Sequence, residues 1–200
     1  MKGSLVIVGF FIIGTLFGLY NVIPYDLSQT KLSFYTLCAL MFCVGFSLGH
    51  DPKTLKSFKS INPRLLLLPV MTIVGTLAGC LAVTPFLKDR SVWDCLAVGS
   101  GFGYYSLSSI FITQYKGAEL GTVALLSNIT REILTLLAAP LLVKWFGNLA
   151  PISAGGATTM DTTLPIITKC SGKEYVIVSV FHGFVVDFSV PFLVTFFCSL

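Results

Sequence analysis

Six apolar stretches, each about the length needed to cross a bilayer, take up most of this 200-residue chain. A helix spanning a hydrocarbon core of about 30 Å needs about 20 residues. The stretches run Leu5 to Ile23, Leu32 to Leu48, Leu65 to Leu87, Val92 to Ile112, Thr122 to Phe146 and Tyr175 to Leu200. Charged residues make up only 11% of the chain, against roughly 25% in soluble proteins, too few to cover a water-facing surface. That excludes a soluble globule, and the excess of apolar residues excludes disorder. A seventh stretch, Ile152 to Ile167, carries Gly155-Gly156, Pro165 and an embedded Asp161, so it reads as a discontinuous, glycine-rich helix. Lys2 ahead of the first run imitates a secretory signal, but the run is 19 residues long with no small-residue cleavage site, and it is taken as a span. The expected fold is a single all-α transmembrane domain over residues 1–200 with about seven segments.

Orientation follows from Lys and Arg, which accumulate in cytoplasmic loops. Lys53, Lys56, Lys59 and Arg64 crowd one loop, which places it inside. With seven crossings the N-terminus is inside and the C-terminus outside; eight of the 13 positive residues then lie inside and four outside, with Arg131 in the membrane. The net charge of +4 does not point to nucleic acid, because no basic stripe with interleaved aromatics exists. Cys38, Cys43, Cys80, Cys95, Cys170 and Cys198 are scattered and mostly intramembrane, which argues for reduced packing residues over a disulfide scaffold or zinc site. Gly14 and Gly18, Gly45 and Gly49, and Gly75 and Gly79 form Gly-x-x-x-Gly pairs that let another backbone approach, within the bundle or at a subunit interface. The first and third spans share G-T-L-x-G, a hint of duplication.

Polar groups at membrane depth carry the functional information. Arg131, Glu132, Asp161 and Asp187 lie well inside predicted spans, with His182 beside them. Four such groups facing lipid would cost roughly 10–14 kcal/mol, so they must face each other, water or a substrate. Arg131 either pairs with a carboxylate to fix helix packing or meets a substrate. Asn128 precedes Glu132 by one helical turn, so the two share a face. Asp161 sits in the small, hydroxylated run Ser153 to Pro165, which includes Thr158, Thr159 and Thr162. Such a run can unwind and offer carbonyls and half-helix ends to ions or a carboxylate. A second interrupted stretch is Gly99-Ser100-Gly101-Phe102-Gly103-Tyr104-Tyr105-Ser106, and two of them at membrane depth point to a secondary transporter. Gly101-x-Gly103 lacks the βαβ context of a nucleotide fingerprint. His182 is either a proton relay or a buried neutral ring. It stands about 140° round the helix from Asp187, so one small site cannot take both without a kink. The ring of Pro191 frees the carbonyl of Asp187, and the sequon at Asn128 lies in the membrane and says nothing of glycosylation.

S-G-F-G-Y-Y-S-L-S-S from Ser100, S-N-I-T-R-E-I from Ser127, G-A-T-T-M-D-T-T-L-P from Gly156, and H-G-F at His182 followed by Val190-Pro191 occur in this order. On these motifs the chain resembles the lysine exporters of the LysO type, inner-membrane proteins that are more distantly similar to the antiporter and bile-acid-carrier superfamily, whose broken helices cross at the midplane. The resemblance implies export of L-lysine and its toxic analogues, and the two carboxylates and the arginine within interrupted, hydroxyl-rich spans add the expectation of alternating access in exchange for protons, with no cofactor, metal or enzymatic step. The expected substrate contacts are Glu132, Asp161, Arg131, Asn128, Ser100, Gly101, Gly103, Tyr104, Tyr105, Ser106, Gly155, Gly156, Thr158, Thr159 and Thr162. Glu132, Asp161 and His182 are the expected proton carriers. Family members are nearly half as long again, with further hydrophobic segments at the N-terminal side, so the expectation is a homodimer or a small separately encoded hydrophobic partner in the same membrane. The family pattern has an aspartate where Asn128 stands and a small or apolar residue at Asp187. Other readings are a transporter of another amino acid or organic ion, a non-catalytic subunit, and an intramembrane enzyme with an Asp161–Asp187 dyad, which requires the carboxylates about 3 Å apart.

Overall fold

The computed structural model describes residues 63–87 and 89–200, apart from the side chains of Pro63 and Arg64, together with the isolated positions 16, 17 and 35. The chain divides into two compact units, Met1–His50 and Asp51–Leu200, and the second is the one described here. The expected spans 5–23 and 32–48, two of the three glycine pairs, Cys38, Cys43 and the loop lysines 53 to 59 lie outside the described residues.

The described secondary structure is entirely helical. Helix α1, Leu68–Val83, starts with Pro69 in its first turn, where a missing N–H costs nothing, and is flanked by 3-10 turns Pro63–Leu67 and Thr84–Phe86. Helix α2, Val92–Gly99, opens on a capping box in which Ser91 Oγ accepts from Asp94 N–H (3.0 Å) and Asp94 accepts in return from Ser91 N–H. Helix α3, Tyr105–Lys116, meets helix α4, Ala118–Phe146, at the single residue Gly117. The two pack closely, with Gly121 lying against Thr113 and the Ser109 carbonyl. Helix α5, Ala150–Gly155, runs into a 3-10 stretch, Gly156–Met160, before helix α6, Leu164–Ser171. After a 3-10 turn at Lys173–Tyr175, helix α7, Val176–Cys198, closes the chain.

Three of these helical segments are long and apolar enough to cross a membrane: Leu65–Phe86, Ala118–Phe146 and Lys173–Cys198. Their large side chains are mostly turned outward, Leu137, Phe146 and Phe192 among them, as expected where lipid rather than water surrounds the protein. The stretch 92–112 is two helices, because Ser100–Tyr104 interrupts it and the second helix continues to Lys116. Backbone geometry explains the break: Phe102 and Gly103 have φ of 44° and 95°, and neither value continues a right-handed helix.

Helix α7 positions everything else. Its buried residues Val178, Ser179, His182, Gly183, Val186, Asp187, Val190 and Val194 recur at three- and four-residue spacing, a single stripe along one face. That stripe packs on the 3-10 stretch Gly156–Met160 and on α2 and α3. Ile152, Ile167 and Val178 form a buried core cluster, with Leu65, Leu68, Leu149, Ile166 and Tyr175 packed against it. Polar links tie the start of α2, the end of α3 and the start of α4 together: Arg90, just before α2, pairs with Glu119, and Lys116 Nζ lies 3.8 Å from Asp94.

Candidate functional site

The two interruptions meet. Ala157 N–H, in the second break, donates to the carbonyl of Phe102, in the first, at 2.9 Å. Gly156 lies directly against that carbonyl, and Gly103 lies against the carbonyl of Gly155 and the methyl of Thr158. Two helix breaks thus cross at backbone distance, which only residues without Cβ permit at the contact. Phe102 is fully buried with its backbone in the left-handed region, and a non-glycine residue held there is a marker of functional strain.

Each break exposes helix-end groups that have to be satisfied. Asn128 of α4, 3% exposed, answers for the first. Its Oδ1 accepts from Gly103 N–H at 2.7 Å, while Nδ2 donates to Ala124 O at 2.8 Å and lies 3.4 Å from Ser108 Oγ and 3.5 Å from Val98 O. Ser100 Oγ returns to Leu96 O at 2.7 Å. The start of α3 has no side-chain cap; Tyr105 N–H donates to Gly103 O at 3.0 Å, and Tyr105 and Ser106 are both exposed there.

Arg131 answers for the second break. Its Nε donates to Ala154 O at 2.8 Å, its Nη2 to Ser153 O at 3.0 Å and its Nη1 to Thr76 Oγ1 at 3.3 Å. The guanidinium also stands 6.0 Å from the centre of the Phe102 ring. The carbonyls at the end of α5 are thereby fully matched, since Gly156 N–H takes Ile152 O and Thr158 Oγ1 takes Gly155 O at 2.9 Å. Arg131 meets carbonyls at the negative end of a short helix, rather than a carboxylate, and charge of that sign is favoured there. A cleft of about 680 Å³ opens beside it, lined by Thr76, Ser127, Thr130, Thr135 and Ala154.

His182, fully buried, joins three elements: Nε2 is 2.9 Å from Thr72 Oγ1 of α1, and Nδ1 is 3.2 Å from Thr159 Oγ1 of the second break. Thr159 Oγ1 also lies 2.9 Å from Ser179 O. Glu132 is half-buried and makes no hydrogen bond or ion pair among the described residues. It sits about 40° round the helix from Asn128, yet Asn128 is taken up by backbone while Glu132 is not. Asp161 is exposed at the end of the second break, where its Oδ1 accepts from Thr162 N–H at 2.5 Å. Asp187 is 5% exposed.

The crossing therefore brings Phe102 and Gly103 of the first run against Gly155, Gly156, Ala157 and Thr158 of the second, with Asn128 and Arg131 as the side chains that hold the two breaks, while Tyr105, Ser106, Asp161 and Thr162 are exposed outside it. Thr72, Thr76 and Ser179 are additional members. Thr72 and Thr76 stand four apart in an apolar run, so they share a helix face, and that spacing was the available signal. Replacing Asn128 by Ala leaves the buried Gly103 N–H without an acceptor, a cost of about 1–3 kcal/mol. Thermal unfolding in detergent is expected to show that loss, and Asn128→Asp, which keeps the acceptor, is expected to lose less.

The sequence pattern of the family described as "Lysine exporter LysO" matches residues 8–198. The chain is 34% identical over 196 residues to the Escherichia coli K12 protein named "Lysine exporter LysO", covering 98% of this chain and 64% of that protein. It thus spans a little under two thirds of that relative's length. A Haemophilus influenzae Rd protein, provisionally named as a lysine exporter, is 34% identical over 165 residues, covering 82% of this chain and 83% of its own. No solved structure matches the chain at a comparable level of significance.

Proposed function

The chain belongs to the lysine exporter LysO family, and from that premise we propose that it works in export of L-lysine as a secondary transporter of the inner membrane, exchanging lysine for protons by alternating access. The observation that carries this reading is the crossing of two helix breaks through the Ala157–Phe102 backbone bond. Discontinuous helices at membrane depth are how transporters present backbone and helix ends to a substrate. In this reading the chain crosses the membrane seven times, N-terminus inside and C-terminus outside, with residues 150–171 as one discontinuous span and 92–116 as another. It works as a homodimer or with a small hydrophobic partner.

The substrate carboxylate is assigned to the cleft beside Arg131 and to the uncapped start of α3 around Tyr104, Tyr105 and Ser106. Three of the five guanidinium N–H groups are engaged with protein, which leaves two for a carboxylate. Ammonium groups are assigned to Glu132 and Asp161, neither of which has a cationic partner among the described residues. In this reading proton and ammonium compete for the same carboxylates, which couples the two fluxes. His182, between Thr72 and Thr159, connects the second break to α1 and is the third member of the proton route.

The test is lysine counterflow in proteoliposomes. Glu132→Gln and Asp161→Asn are each expected to lower it at least tenfold without changing monodispersity in detergent. Counterflow unchanged in both variants would remove the carboxylates from the mechanism.

A further inference from the structure

His182 sits on the buried stripe of α7, and each of its ring nitrogens faces a threonine hydroxyl from a different element. Nε2 meets Thr72 of α1 and Nδ1 meets Thr159 of the second break, and both threonines are buried. Neither of those elements offers a counter-ion: Leu68–Val83 and Gly156–Met160 contain no Asp, Glu, Lys or Arg. A fully buried ring among hydroxyls and carbonyls is therefore neutral, and a neutral imidazole holds a proton on one nitrogen and a lone pair on the other. Thr159 decides which. Its Oγ1 lies 2.8 Å from Gly156 O and 2.9 Å from Ser179 O, and both are acceptors that compete for its single hydrogen. With that hydrogen on the carbonyl side, a lone pair of Oγ1 faces Nδ1. Turning the hydroxyl to Nδ1 would instead leave Oγ1 lone pair to lone pair against two carbonyl oxygens.

We propose that His182 is locked in the tautomer with its proton on Nδ1, and that Thr72 is a positioning residue that donates to Nε2 and covers the ring's only basic atom. The hydrogen bonds run in one direction: Thr72 O–H to Nε2, Nδ1–H to Thr159 Oγ1, and Thr159 O–H to the carbonyls of the second break and α7. This relay joins α1 to the second break through α7, and reversing one member of it strands a buried donor or acceptor. Its role in transport rests on the export reading above. A counter-transported proton can add only to the lone pair of Nε2, so the Thr72 hydrogen has to turn away first, toward Leu68 O one turn back along α1, the usual alternative for a helical threonine. Nε2–H then donates to Thr72 Oγ1, and the ring carries the charge. Loading of His182 is thus gated from α1, while Thr159 accepts from Nδ1–H in both states.

Solid-state NMR of the full chain in proteoliposomes, labelled with 15N and 13C at histidine, reads the tautomer directly; the His182 signals are those missing from His182→Gln. At neutral pH wild-type protein is expected to show a protonated Nδ1 and an unprotonated Nε2. An Nε2–H tautomer or a doubly protonated ring would overturn the assignment. Thr72→Val removes the donor and is expected to move the Nε2 resonance and to lower lysine counterflow at least tenfold, whereas Thr72→Ser, which keeps the hydroxyl, is expected to recover both. An Nε2 resonance unmoved in Thr72→Val would show that no hydrogen bond reaches that atom. A moved resonance with wild-type counterflow would remove Thr72 from the transport cycle. Should the valine variant not fold, the wild-type spectrum and Thr72→Ser still decide: a serine variant without the wild-type Nε2 resonance sinks the proposal. If wild-type protein exchanges no lysine, the export reading fails and the tautomer is still read from the spectrum; if it exchanges lysine with the proton on Nε2, only this inference fails.

Discussion

Gly156→Ala is expected to abolish transport and to leave little monodisperse protein in detergent. Gly156 has φ 62° and ψ −127°, a combination in which essentially only glycine is at ease, and forcing another residue there costs about 1–3 kcal/mol. The new methyl also falls on the carbonyl of Phe102, and that carbonyl cannot give way freely because it accepts the hydrogen bond of Ala157. Relieving the collision means parting the two breaks, which adds the cost of an overpacked contact, about another 1–3 kcal/mol. Together these are a large share of the roughly 5–15 kcal/mol that holds a domain folded. Gly103→Ala makes a milder test at the same crossing: its φ of 95° is equally unsuited to alanine, but its nearest neighbour, the Gly155 carbonyl, is 3.2 Å from the added atom. It is expected to retain measurable folded protein. Leu137→Ala, on the outer face of α4 with 73% exposure, is expected to match wild type in both yield and counterflow.

Long apolar runs made the membrane-crossing helices legible: 65–87, 122–146 and 175–200 each became a continuous helical segment within a few residues. The glycine-rich runs at 99–106 and 153–165 were legible as irregular backbone, for the same reason that Gly156 resists alanine. What composition could not show is that they touch. A contact between residues 55 positions apart is set by how α4 and α7 are packed, and neither motif records its partner. Arg131 illustrates the limit. Sequence showed a charge where lipid forbids one and left a carboxylate or a substrate as its partner, whereas the structure gives it two backbone carbonyls and Thr76. Backbone acceptors leave no trace in side-chain identity, so a helix end released by a distant break is invisible until the chain is folded. Asn128 was paired with Glu132 by helical spacing, and the spacing is right. Its side chain is nevertheless drawn to Gly103, because an unpaired N–H in the first break has no water to turn to.

Arg131 gives the second large effect. Arg131→Leu is expected to destabilise the chain by about 3–5 kcal/mol, since two charge-assisted hydrogen bonds to partly buried carbonyls are lost at about 1.5–3 kcal/mol each and the desolvation cost of the charge is only partly recovered. Arg131→Lys separates charge from shape. An ammonium keeps the charge but is a single point, whereas the guanidinium reaches Ala154 O, Ser153 O and Thr76 Oγ1 from three different nitrogens. The lysine variant is therefore expected to recover part of the stability and none of the counterflow, because at least one of the α5 carbonyls and the outward-facing donors go unserved. Thr76→Val supplies the control for the third bond. On its own it is expected to cost about 1 kcal/mol, and in the Arg131→Leu background almost nothing, since the two residues act through one contact. Chemical unfolding of the four proteins in the same detergent gives the coupling energy directly. A coupling near zero, or an Arg131→Lys chain that exchanges lysine at the wild-type rate, would show that Arg131 serves as a bare charge and that the second break holds its shape without it.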